Sequence, residues 1–371
     1  MKITRLETFF VRPRWLFLKM HTDEGVTGWG EPIVEGWSRT VAAAVQEMGR
    51  YLIGQDPRRI EHHWQALYRG GFYRGGPVLT SALSGIEQAM WDITGKWLGA
   101  PVHQLLGGAV RDRIRVYGHV GGDTCDALLA AGRESRAKGF TAVKICPFEA
   151  VRFVESPAFV EAAVARVAAL REGVGKEVDV GIDFHGRVSP AMAVQLCEAL
   201  EPYRPMFIEE PCLPENVDAM AAIACRTTVP IATGERLFTK WGFREVLEKR
   251  AAAILQPDVS HAGGILEVRQ IAAMAEAHFA ALAPHCPLGP IALAACLQVD
   301  ACTPNFLCQE QVCLGDGYLK VPFVVSGGHI DVPAGPGLGI EVDEDALAGN
   351  LYDGSWENPR LWHADGSPAD W

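Results

Sequence analysis

Val178-Asp179-Val180-Gly181-Ile182-Asp183-Phe184-His185 and Met206-Phe207-Ile208-Glu209-Glu210-Pro211 share one form: a short apolar run that ends in a carboxylate. A helix-like stretch separates them, which is the pattern of strands in a parallel sheet joined by helical crossovers. Six more runs repeat it: Ile114 to Val120, Ala142 to Pro147, Ile231 to Glu235, Ala252 to Asp258, Ala280 to Cys286 and Phe306 to Gln311. Eight such βα units predict an α/β fold, a (β/α)8-type barrel, in which chemistry gathers at the C-terminal ends of the strands.

The residues at those ends are polar: Lys144, Asp183, Glu209, Glu235, Asp258, His285 and Glu310. From Asp183 onward they are separated by 26, 26, 23, 27 and 25 residues, close to one βα unit each time. A single carboxylate in such a place can simply cap the next helix. Several in register predict one shared pocket. Asp183, Glu209 and Glu235 would stand on consecutive strands, where three carboxylates repel one another unless a cation lies between them. An all-oxygen site favours Mg2+, then Mn2+, over Zn2+. Strand alternation turns Glu210 away from that group. Asp258 and His285 fall on adjacent strands, so the carboxylate can fix the imidazole tautomer and raise the basicity of its other nitrogen. His285 is therefore the candidate base. His185, two residues after Asp183, is expected to point into the same mouth and to act as the acid, with a helix-cap or metal-supporting role as the plainer alternative.

Outside the barrel, Lys2 to Val11, Leu16 to His21 and Val26 to Glu31 read as an antiparallel meander with a turn at Thr22-Asp23-Glu24-Gly25. Helical patterns follow at Ser38 to Leu52, Pro57 to Tyr68 and Leu79 to Leu98. Residues 1–113 are thus expected to form an α+β capping domain and 114–325 the barrel, with 326–371, including Gly335-Pro336-Gly337-Leu338-Gly339, returning to the cap. The whole chain has 371 residues, 49% of them apolar and 21% charged, which is ordinary globular composition. With 34 basic and 45 acidic residues the net charge is −11, and no basic stripe points to nucleic acid. No run is long enough for a membrane span. Arg5, Glu7, Arg12 and Arg14 interrupt any signal-like apolar core, and ten cysteines without a Cys-x-x-Cys pair read as reduced cytoplasmic thiols.

The phrases Trp15–Lys19, Phe72–Pro77, Asp183–Arg187, Phe207–Pro211, Gln256–Gly264 and Ala283–Ala292 resemble the enolase superfamily, mandelate racemase subgroup, along nearly the whole chain. The Asp183-x-His185 motif with the Asp258/His285 pair is similar to the acid-sugar dehydratases of that subgroup, the galactonate dehydratases in particular. The resemblance implies that Asp183, Glu209 and Glu235 hold Mg2+ and that His285, backed by Asp258, removes the C2 proton. It implies that His185 protonates the departing C3 hydroxyl to give a 2-keto-3-deoxy acid, here 2-dehydro-3-deoxy-D-galactonate from D-galactonate. It gives Glu310 the part of a hydrogen-bond donor to the developing oxyanion, which requires a raised pKa. Cys146 stands where racemases of the subgroup carry the second lysine of Lys-x-Lys, which fits a dehydratase better than a two-base racemase.

Substrate contacts are expected from Lys144, Arg14, Tyr73, Cys146 and His119, with Trp15 reserved for core packing. The capping segment Pro13–Met20 is expected to close over the sugar. The partner implied is a small acid-sugar substrate, and the family habit implies a homo-oligomer. Two other readings stay open: dehydration of a different aldonate or an aldarate on the same scaffold, and a catalytically silent barrel that only binds sugar acids.

Overall fold

A computed structural model describes residues 1–371. The chain begins with an antiparallel three-stranded sheet, Ile3–Val11 (β1), Trp15–Thr22 (β2) and Thr27–Gly30 (β3). Ser38–Leu52 (α1), Ile60–Arg69 (α2), Pro77–Leu98 (α3) and the short Val102–Leu105 (α4) follow. α3 is buried along most of its length, starts with proline in its first turn and stops at Gly99 in the left-handed conformation.

Next comes Arg113–Arg115 (β4), outside the barrel, then the alternating series. Its strands and helices are Gly118–His119 (β5), Cys125–Ala137 (α5), Ala142–Ile145 (β6), Pro157–Val174 (α6), Asp179–Asp183 (β7) and Pro190–Leu200 (α7). Phe207–Glu209 (β8), Val217–Ala224 (α8), Ile231–Thr233 (β9), Thr239–Glu248 (α9), Ile254–Leu255 (β10), Ile265–Ala277 (α10), Ala281–Leu282 (β11) and Pro290–Ala301 (α11) complete it. β5 to β11 pair in parallel in sequence order. The eighth position is filled by the segment around 306–310, which bridges Leu282 through Phe306 and Val116 through Gln309 and so closes the ring.

Two expectations change in detail. The predicted first strand, Ile114 to Val120, is split: Arg113–Arg115 pairs antiparallel with His329–Asp331 (β12), while Val116 bridges Gln309 and Gly118–His119 pairs with β6 in the barrel. The eighth strand is not followed by a packed helix; the chain instead runs to β12 and then to Glu344–Gly349 (α12). The segment after α12 bridges Val11 through Leu351, donates from the Tyr352 N–H to the Phe10 carbonyl, and ends at the barrel mouth.

Inside the barrel, Tyr117, Ala142, Phe207, Ala232, Ile254, Ala283 and Cys308 form a separate apolar cluster. Five of these positions lie two residues before His119, Lys144, Glu209, His285 and Glu310, so strand alternation sends both members of each pair inward, one layer apart. Gly181 occupies the same register before Asp183, and a Cβ there would lie 2.6 Å from the Phe207 ring. A large residue on one strand thus fills the space that a small one leaves on the next, and the polar layer rests on this floor.

Candidate active site

Asp183 and Glu209 end β7 and β8, and Glu235 follows β9 by two residues. One carboxylate oxygen from each lies within 4.8 Å of the other two. Hard oxygen donors at that spacing fit a divalent cation. Burial and the neighbouring charge of Asp183 hold Glu209 well above the ordinary carboxylate range and push Glu235 up to about 7. Asp183 is held below its ordinary value, since Lys144 and His185 outweigh its burial. Glu210 is not part of the group, because Arg236 Nη2 binds its Oε2 at 2.7 Å.

Lys144, 5% exposed, reaches into this group from β6. Its Nζ lies 2.8 Å from Glu209 Oε1, 2.8 Å from Glu310 Oε1 and 3.3 Å from Asp183 Oδ2. These carboxylates overcome the burial and keep the ammonium charged.

On one side stands His285. Its Nδ1 is 2.8 Å from Asp258 Oδ2, while Asp258 Oδ1 accepts the Ser260 N–H at 2.7 Å. The free nitrogen, Nε2, faces Glu235 Oε2 at 3.5 Å and Glu310 Oε2 at 3.8 Å. Burial alone would lower His285, but Glu310, Glu235 and Asp258 hold it well above the usual histidine range. On the Asp183 side stands His185, with Nε2 3.2 Å from Asp183 Oδ2. Burial lowers it to about 4, and its Nδ1 is buried without a partner. Strand alternation is not what places this ring. The strand ends at Asp183, whose Oδ1 accepts the His185 N–H at 2.8 Å, and His185 itself has φ 50°. A side chain capping its own turn brings the two together.

Glu310 requires a correction. The raised pKa expected for a hydrogen-bond donor is absent: burial would raise it, but Lys144, His285 and His119 hold it well below the ordinary range. Its Oε1 lies 3.0 Å from His119 Nε2, and its Oε2 accepts the Cys286 N–H at 2.8 Å. Its two oxygens thus face the Lys144 ammonium, the His119 ring and the Cys286 N–H.

A cavity of about 730 Å³ joins these groups to the cap. Arg14, Cys146, His119 and Lys144 line it. Tyr73 does not. It stands 86% exposed beyond α2, its ring edge-on to Phe72 at 5.2 Å, because the glycine-rich stretch 70–76 carries it out to the surface. The Cys146 thiol donates to the Phe148 carbonyl at 3.0 Å, and burial pushes it up to about 11. Trp15 packs in the core against Phe17 and Tyr318. Glu35, His261, Arg236, Asn358 and Trp371 also stand in the cavity wall, beyond the residues expected there from the sequence. His261 and Arg236 carried a signal there, being three residues after Asp258 and one after Glu235. Trp371 had no such signal; its ring meets His185 edge-on at 5.6 Å from the far end of the chain.

Residues 8–107 match the mandelate racemase / muconate lactonizing enzyme N-terminal domain, and residues 127–346 match the enolase C-terminal domain-like family. The chain belongs to the mandelate racemase subgroup of the enolase superfamily. Among relatives in the subgroup, it is 54% identical to the D-galactonate dehydratase of Ralstonia nicotianae and 52% identical to that of Cronobacter sakazakii, each over 100% of both chains. A crystal structure from Agrobacterium radiobacter, described as a putative galactarate dehydratase with bound Na and L-malate, superposes with a TM-score of 0.93 at 32% identity over 100% of both chains. A putative mandelate racemase/muconate lactonizing enzyme from Labrenzia alexandrii gives a TM-score of 0.91 at 37% identity, covering 95% of this chain and 100% of the other.

Proposed function

We propose that this member of the mandelate racemase subgroup dehydrates an acid sugar, converting D-galactonate into 2-dehydro-3-deoxy-D-galactonate and water. The observation that carries the reading is that two histidines, His285 paired with Asp258 and His185 turned onto Asp183, line one carboxylate-lined pocket. The full-length likeness to named D-galactonate dehydratases supports the choice of sugar.

In this reading Asp183, Glu209 and Glu235 would hold Mg2+, which supplies Lewis-acid stabilisation for the substrate carboxylate and for the charge that gathers when the C2 proton leaves. The Lys144 ammonium, fixed by Glu209 and Glu310, adds a charged donor beside that carboxylate. With the charge of Glu235 taken up by the cation it would help to hold, the field that keeps His285 protonated weakens, and Nε2 takes the C2 proton while Asp258 accepts from Nδ1 and stabilises the imidazolium that forms. His185 gives a proton to the C3 hydroxyl, the C3–O bond breaks and water leaves. The substrate's negative charge favours the protonated ring that this step needs. The resulting enol then becomes the 2-keto-3-deoxy acid. Glu310 serves by holding Lys144 and His119 in place. Arg14 and His119 remain the substrate-contact residues of the wall, whereas Cys146, already bonded to Phe148, contributes shape. Residues 1–113 act as the cap, 114–325 as the barrel and 326–371 as a return segment whose last residue completes the wall.

The test is formation of 2-keto-3-deoxy acid from a panel of aldonates and aldarates, with Mg2+ and again with a chelator. D-galactonate should be consumed and the chelator should stop it. Turnover of some other acid sugar alone would replace the substrate, and no turnover at all would contradict the reading.

A further inference from the structure

The end of the pocket under the cap carries charges that the dehydration steps do not use. Arg14 Nη2 lies 3.7 Å from Glu35 Oε1 and donates to the Pro287 carbonyl at 3.1 Å. Its guanidinium also sits over the Trp356 ring, 5.2 Å from the centroid. Glu35 Oε2 lies 4.0 Å from His261 Nε2, whose ring is turned by Ser81 Oγ at 2.9 Å from Nδ1. The Asn358 amide donates to the Glu35 backbone carbonyl at 3.0 Å and so ties this residue to the tail.

An acid sugar held by its C1 carboxylate at Lys144 must place its other end elsewhere in the cavity. In an aldonate that end is a neutral hydroxymethyl group; in an aldarate it is a second carboxylate. Recognition of a carboxylate calls for an arginine with its two-pronged face free. Here the single arginine of this end turns one nitrogen, Nη2, to the Pro287 carbonyl and toward Glu35, and Glu35 contributes a charge that would repel another anion. A hydroxyl can donate to Glu35 and accept from Arg14 or His261, and so satisfies every group.

We propose that Glu35 sets the choice of substrate by charge, admitting acid sugars with a neutral far end and rejecting those with a carboxylate at both ends. This rests on the reading of the pocket as an acid-sugar dehydratase site.

The experiment compares kcat/KM for D-galactonate and galactarate in the wild type, Glu35→Gln and Glu35→Asp. The wild type should prefer D-galactonate. Glu35→Gln, which removes the charge, should move the ratio toward galactarate by about tenfold or more, chiefly through KM, while Glu35→Asp, which keeps it, should stay near the wild-type ratio. A ratio in Glu35→Gln equal to that of the wild type would overturn the proposal. A measurement free of variants stands beside it: galactarate should inhibit wild-type turnover of D-galactonate only with a Ki about tenfold or more above the KM for D-galactonate. A Ki at or below that KM would overturn it too. Wild-type protein that dehydrates no acid sugar would overturn the dehydratase reading and this inference with it; turnover of D-galactonate with an unshifted ratio would overturn this inference alone.

Discussion

His285 draws its chemistry from three carboxylates. Asp258 takes up Nδ1 at 2.8 Å, and Glu235 and Glu310 face Nε2. Asp258→Asn keeps the volume but replaces an anion that favours the imidazolium with a neutral amide. Steady-state kinetics should show kcat lowered on the order of a hundredfold with KM little changed; a KM defect with kcat intact would assign Asp258 to binding instead. At this scale much of the site was legible, because a polar residue ending an apolar run announces itself. What was not legible was ionisation state. Whether Glu310 donates or accepts depends on Lys144 and His119, brought to it from two other strands, and nothing in the segment around Glu310 encodes those neighbours. Tyr73 shows the same limit from the other side: an aromatic within a glycine-rich loop reads equally well as a pocket wall or as surface.

Two helices that follow the site-bearing loops are held from outside the barrel. α10 and α11 begin after Gly264 and Gly289, which have no side chain with which to cap. Glu87 of α3 accepts the N–H groups of Ile265 and Leu266, and Glu31 accepts those of Gly289 and Ala292. The glycines leave room for this. A Cβ at Gly264 would lie 2.3 Å from Glu87 Oε2, and one at Gly289 2.6 Å from Glu31 Oε1. Burial pushes both carboxyls up to about 8 despite those donors. Because the folded-state pKa exceeds the ordinary 4.5, the folded protein holds protons that the unfolded chain releases between these two values. Stability from these groups is therefore greatest at low pH, falls as pH rises through that window and levels off above it. Thermal unfolding should give a lower Tm at about pH 8.5 than at about pH 6, and Glu87→Gln or Glu31→Gln should flatten that slope. An unchanged slope in both variants would contradict the assignment. The helices were legible from periodicity, α1 in particular, and the strands from their spacing. The split of the first barrel strand was not, since Arg113–Arg115 finds its partner more than 200 residues away in β12.

Across the whole molecule, the pocket exists only because three parts of the chain meet. Barrel strands supply the carboxylates and histidines, the cap supplies Arg14 and Glu35, and the last segment supplies Asn358 and Trp371. Repetition made the barrel readable; the tail repeats nothing, so its arrival beside His185 had no trace in local pattern. The cap and barrel both belong to matched families, and His185 and His285 both line the cavity that they enclose. If His285 removes the C2 proton of D-galactonate in this cavity, the reaction should fail without its imidazole. Formation of 2-dehydro-3-deoxy-D-galactonate is to be compared between the wild type and folded His285→Asn, both with Mg2+. The wild type should give product and the variant a rate lower by about a thousandfold or more. Product from His285→Asn at a rate within a few-fold of the wild type would contradict that role.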